Sequence, residues 1–193
     1  MSSFLGHAST GLAFYLSRST LRAPAAPVGL AVCVLLAMAS DADYVAYWLV
    51  HVNSEPRWTH TLLFALATSW LAWWALALAN SPARALGWPI LAAAACSHPL
   101  LDLLVGVHPV PVLWPGPQWM APIGLLPSAG RIDAGNVYFW RNLLIECGVL
   151  WPVLALGVVL ARRAPARRIA APFALALPCW IGFLAWSLRI HQG

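Results

Sequence analysis

Long apolar runs alternate with short polar or proline-bearing turns along this chain. A helix needs about 20 mainly apolar residues to cross a bilayer. Six stretches approach or reach that length: 4–17, 24–40, 60–79, 85–105, 137–161 and 169–188. The first, FLGHASTGLAFYLS, is short. Arginine- or proline-bearing turns separate the first from the second, the third from the fourth and the fifth from the sixth. Two longer links remain, 41–59 and 106–136. The second is rich in Pro, Gly and Trp, which predicts an ordered interfacial loop and not a strand. The pattern predicts an all-α fold: a polytopic transmembrane helix bundle of five to six spanning helices, forming a single domain over 1–193.

Composition narrows the class further. Hydrophobic residues make up 61% of the chain and charged residues 9%, where a soluble domain carries about a quarter charged. There is too little polar sequence to coat a soluble core. The net charge of +5 comes entirely from arginine, since lysine is absent. A basic balance can mark a nucleic-acid binder, but arginines in the turns of a membrane protein are loop anchors, and no nucleic-acid partner is expected. Cys33, Cys96, Cys147 and Cys179 sit in apolar runs without a CxxC pair; they read as small buried hydrophobes. Arg18, Arg22, the run to Leu36 and Ala37-Met38-Ala39 imitate a signal peptide. That run lies far from Met1 and is followed by more membrane-like sequence, so a span is expected.

Threading six helices through a bilayer partitions the charges. With the N-terminal side called A, the turns on side B carry Arg18, Arg22, Arg84, Arg162, Arg163, Arg167 and Arg168; side A receives Arg57, Arg131, Arg141 and Arg189. Basic residues favour the cytoplasmic side, so side A faces out. Every acid (Asp41, Asp43, Glu55, Asp102, Asp133, Glu146) and every histidine (His7, His51, His60, His98, His108, His191) falls on side A or in the side A half of a helix. Orientation rules do not require this, because acids contribute little to them.

Asp41 and Asp43 close the second run, where a helix C-terminus disfavours carboxylates and a nearby cation would repair the mismatch. The alternative is a pair of solvated residues ending a span. His98 and Asp102 are four apart in SHPLLD, stacked on one helical face about 6 Å apart. Ionisable groups inside a span cost about 2.5–3.5 kcal/mol each, which makes them candidates for metal ligation; a self-contained His–Asp hydrogen bond is the alternative. Arg57-Trp58-Thr59-His60 opens the third helix, with Thr59 as its expected N-cap. The positive end of that helix keeps the His60 imidazole neutral. His7 precedes Gly11, which permits close helix approach. Glu146 shares a face with Asn142 and reads as a ligand, an acceptor behind a ligand, a general base, or a salt-bridge partner of Arg141. Glu55 is a further carboxylate of the site or a loop residue. His51, His108, Asp133 and His191 read as loop or terminal residues.

The ligand set is therefore His7, Asp41, Asp43, His60, His98 and Asp102. Mixed imidazole and carboxylate donors without thiolate suit a divalent metal, zinc first, with manganese or iron as alternatives. Six donors exceed one tetrahedral zinc, so the set has room for one ion or two, and two-ion sites are used to cleave phosphoesters.

These segments resemble the YdjM-like family, described as LexA-regulated, membrane-bound, metal-dependent hydrolases. The resemblance runs through GHASTG (His7, Gly11), SDAD (Asp41, Asp43), RWTHTLLF (His60), SHPLLD (His98, Asp102), VLWP at 112–115 and RNLLIE, ending at Glu146. Ser40 stands where the family usually has proline, and Glu55 where many members have histidine. The resemblance implies an all-helical inner-membrane protein, distantly similar to zinc phospholipase C.

Residues and resemblance together lead to an expected function. The chain reads as a multi-pass inner-membrane metal-dependent hydrolase, its site facing the outer side of the bilayer. It would act on a phosphoester of a lipid or lipid-linked phosphate through a metal-activated water. Glu146 or Glu55 would take a proton, and Arg57 or Arg141 would hold the phosphate. The alternatives are a divalent-cation transporter, a metal-binding membrane protein without hydrolase activity, and a haem protein using His60 and His98. The inner half of every span lacks ligands for an ion path, and haem iron does not need the surplus aspartates.

Overall fold

A computed structural model describes residues 2–51, 57–105, 108–116, 120–128 and 133–191. Among them the chain is helical apart from loops and a single antiparallel bridge between Val110 and Met120. Seven helices follow one another: α1 Phe4–Arg18, α2 Ala26–Met38, α3 Ala42–Val50, α4 Leu62–Leu78, α5 Trp88–Val105, α6 Val137–Ala161 and α7 Ala166–His191.

Among the described residues, four stretches are long and apolar enough to cross a membrane: Ala26–Tyr47, Trp88–Val105, Val137–Ala161 and Ala170–Arg189. Helix α4 is apolar but has 17 residues, and α1 has 15, about 22 Å of rise against a hydrocarbon core of about 30 Å. Although short, α1 is the central helix. It packs on α2, α5 and α6, and its buried face, Gly6, His7, Thr10, Gly11 and Tyr15, recurs at helical spacing. Gly11 is required there: a Cβ would stand 2.6 Å from the Cys33 carbonyl oxygen of α2.

Helices α1 and α6 run parallel at a nearly constant sequence offset. Ser3 meets Glu146, Trp151 donates to Ser9 at 2.9 Å, and Arg162 donates to the carbonyls of Leu16 and Ser19. The N-terminal ends of α1 and α4 and the C-terminal ends of α2 and α5 therefore gather at one end of the bundle. Arg162 marks the other. Tyr15, Cys33, Leu76, Leu86 and Leu91 fill the core between them. Helix α7 lies against α6, with Leu175, Leu177 and Ile181 facing outward.

Two local expectations are corrected. The link 41–59 is not a plain loop. After a 3₁₀ turn, Ala39–Asp41, the chain re-enters helix as α3, which ends at His51 in the left-handed conformation (φ 53°). Asp43 thus lies in the first turn of a helix, where the dipole favours a carboxylate, and the C-terminal penalty does not apply to it. Nor does Thr59 cap α4. Thr61 does, accepting from the Phe64 amide at 3.0 Å, while His60 ends a separate 3₁₀ turn, Trp58–His60. The described parts of the loop after α5 fold back over the site end. Val112 accepts from the Leu62 amide at 2.9 Å, and Ile123 donates to Leu103 at 2.7 Å.

Candidate metal centre

Five of the expected ligands converge in the gathered end of the bundle: His7 from α1, Asp41 from the turn after α2, His60 from the turn before α4, and His98 and Asp102 from α5. All are buried. Asp41 Oδ1 lies 3.8 Å from His60 Nε2 and 3.6 Å from His98 Nε2. Asp102 Oδ2 lies 3.5 Å and 3.7 Å from the same two nitrogens. Donors about 2.0–2.1 Å from a tetrahedral zinc stand about 3.3–3.4 Å apart. The four observed separations exceed that by a few tenths of an ångström. Each of these histidine–aspartate pairs is thus close to metal-ligand spacing.

The hydrogen bonds fix which atoms are available. His98 Nδ1 sits 2.8 Å from the Ala37 carbonyl oxygen and must donate to it, so Nε2 carries the lone pair. That nitrogen and Asp102 Oδ2 are buried without a hydrogen-bond partner among the described residues, as are both ring nitrogens of His7. Orphaned buried polar atoms are costly, and a histidine held by a carbonyl on its far nitrogen is the usual support of a metal ligand. Two overlapping triads, His7–His98–Asp102 and Asp41–His60–His98, are close enough to hold an ion. The donor chemistry and the orphaned atoms both fit a divalent cation.

Asp102 divides its two oxygens. Oδ2 faces His60 and His98; Oδ1 accepts from the Ser2 amide at 2.8 Å and lies 3.5 Å from His7 Nε2. The His7 ring stacks on His98 with centroids 3.7 Å apart and planes 9° from parallel. His7 thus flanks the four-atom cluster.

Asp43 and Arg57 form the rim. Arg57 Nε donates to Asp43 Oδ2 at 2.8 Å and Nη2 to Oδ1 at 3.2 Å, a two-pronged pair. The same Nη2 stands 2.8 Å from His60 Nε2, and Thr59 Oγ1 stands 3.1 Å from His60 Nδ1. Arginine only donates, so His60 Nε2 accepts and Nδ1 bears the hydrogen, the same tautomer as His98. Burial, followed by the adjacent Arg57 charge, lowers the His60 pKa to about 4; the ring is neutral at pH 7. Arg57, His60, Asp102, His108, Pro109, Val110 and Pro111 line a small open cleft. His60 and Asp102 thus reach the cleft, while Asp41 and His98 do not line it.

Glu146 is fully buried but turned toward α1. Its carboxylate accepts from the Ser3 amide at 3.0 and 3.1 Å and, through a short hydrogen bond, from the Ser2 hydroxyl. No ion pair joins it to Arg141 among the described residues; Arg141 lies over the Tyr138 ring and donates to Asn142. Glu55 lies outside the described residues. Ser2, Ser3, the Ala37 carbonyl and His108 escape sequence reading. The first three act through backbone groups or short hydroxyls that carry no ligand signal, and a lone histidine before a proline reads as loop.

An all-helical membrane protein with a buried histidine–aspartate centre at one end of its bundle is the class that fold and site define. Within it, the chain belongs to the YdjM inner membrane protein family, whose model matches residues 1–190. No curated protein and no solved structure matches it.

Proposed function

We propose that the chain is a membrane-embedded metal-dependent hydrolase acting on a phosphoester of a lipid or lipid-linked phosphate. The observation that carries this reading is the convergence of donor atoms from His60, His98, Asp41 and Asp102, two of which, His60 and Asp102, line a cleft together with Arg57. His60 and His98 present neutral nitrogens; Asp41 and Asp102 supply charge. A bound divalent cation, zinc by donor type, would act as a Lewis acid and lower the pKa of water.

One ion is the better fit. His98 has one available nitrogen, because Nδ1 is committed to Ala37, and both triads require that nitrogen. His60, His98, Asp41 and Asp102 hold the ion in this reading. Asp43 steadies Arg57, whose guanidinium at the mouth of the cleft would orient a phosphate through paired hydrogen bonds. His108 lines the same mouth and can donate to a phosphate oxygen.

Depth supports the choice of substrate. The donors sit at or within two turns of helix ends, near headgroup level by the threading of the chain, and the family is an inner-membrane one. The asymmetric placement of arginine supports a multi-pass chain with this end outward. Purified protein, stripped with chelator and reloaded with Zn²⁺, should cleave a phosphodiester or phospholipid in mixed micelles. Cleavage that is absent both before and after reloading, in protein that binds the metal, would contradict the hydrolase reading and favour metal binding without hydrolysis.

A further inference from the structure

Helix α1 begins with half of a capping box. In that motif the N-cap hydroxyl accepts from the amide three residues on, and a Glu or Gln at that third position reaches back to the N-cap amide. Ser3 is the N-cap, and its Oγ accepts from the Gly6 amide at 3.0 Å. The third position, however, is glycine, and the first turn contains no acid. The missing carboxylate arrives from α6: Glu146 accepts from the Ser3 amide with both oxygens. A Cβ at Gly6 would overlap Glu146 Oε1 and stand 3.2 Å from its Cδ. Gly6 is open because Glu146 fills the space that a side chain at position 6 would use.

We propose that Glu146 is a positioning residue that completes the α1 capping box in trans, and that this split cap seats the metal centre. The cap ties directly to the site. His7 follows Gly6 and donates its amide to the Ser3 carbonyl at 3.1 Å, while the Ser2 amide holds Asp102 Oδ1 at 2.8 Å. One carboxylate on α6 thereby fixes the first turn of α1, the stacking of His7 on His98, and the rotation that turns Asp102 Oδ2 toward His60 and His98. With the Ser2 and Ser3 donors on its oxygens, Glu146 serves as an anchor and not as the group that takes a proton from water. This inference rests on the metal reading only for its binding readout.

The test moves the carboxylate from one helix to the other. Full-length chain in detergent micelles is titrated with Zn²⁺ and melted, as wild type, Gly6→Glu, Glu146→Ala and the double variant. Gly6→Glu crowds two carboxylates, and Glu146→Ala leaves the Ser3 amide unpaired. Each alone should weaken Zn²⁺ binding about 10-fold and lower the unfolding midpoint. Together they rebuild the box in cis, so the double variant should bind and melt better than either single one. Glu146→Ala binding Zn²⁺ as wild type does, or a double variant no better than the worse single one, overturns the proposal. Should Glu146→Ala not fold, Ser3→Ala removes the other half of the cap without touching a carboxylate; unchanged Zn²⁺ affinity there overturns it equally. A wild type that binds no Zn²⁺ contradicts the metal reading alone, since the four midpoints still report whether the reversal occurs.

Discussion

Arg57 Nη2 stands 2.8 Å from His60 Nε2, the same nitrogen that faces Asp41 and Asp102. A donor and a cation cannot share one lone pair. Metal loading therefore requires the guanidinium to leave Nε2, and its two-pronged hold on Asp43 gives it a place to stay. Arg57→Met should bind Zn²⁺ at least as tightly as wild type while losing about 10-fold or more in phosphodiester cleavage, the scale of a lost charge-assisted contact to the transition state. Affinity and rate falling in parallel would mean that Arg57 only keeps the site's shape.

The histidines should separate by rank. His60 and His98 each point Nε2 at both aspartates, whereas His7 faces the Oδ1 side of Asp102 and stacks on His98. His98→Ala and His60→Ala should weaken Zn²⁺ by more than about 100-fold, and His7→Ala by about 10-fold, the range of a residue supporting a ligand. Stoichiometry should stay at one ion per chain in His7→Ala. Two ions in wild type and one in His7→Ala would show instead that the His7–His98–Asp102 triad is a second site.

Acid should destabilise the metal-free protein through His60. Its pKa is lowered to about 4, by burial first and then by Arg57, against about 6.5 in an unfolded chain. The unfolded chain takes up the proton first as pH falls, so this contribution is fully present above about pH 6.5 and is lost progressively from there down to about 4. Below pH 6.5 the unfolding midpoint of chelator-treated wild type should decline more steeply than that of His60→Gln. Identical slopes for the two proteins would rule out His60 as the source.

Much of this arrangement is legible in the sequence. The bounds of α6 follow from hydrophobic length alone, and the five converging histidines and aspartates stand out because ionisable residues are rare in apolar runs. The helix at 42–50 is hidden: the two aspartates interrupt the apolar run and read as its end, although an acid at position 43 is equally the mark of a helix start. Two threonines, two residues apart, each make a credible cap, and only backbone geometry selects Thr61. The Ser3–Glu146 link spans 143 residues through a backbone amide, and no residue type or spacing announces such a contact. The Asp43–Arg57 pair is hidden for a related reason, since a carboxylate beside other carboxylates reads as a ligand until its partner is seen.

The central claim is that this end of the bundle holds a divalent metal, and elemental analysis of purified protein after dialysis against Zn²⁺ tests it most directly. The structure predicts about one ion per wild-type chain, with Asp41→Ala and His98→Ala retaining almost none while their helical circular dichroism is unchanged. Wild-type protein that is folded and carries no metal, or variants that keep it, would contradict the account.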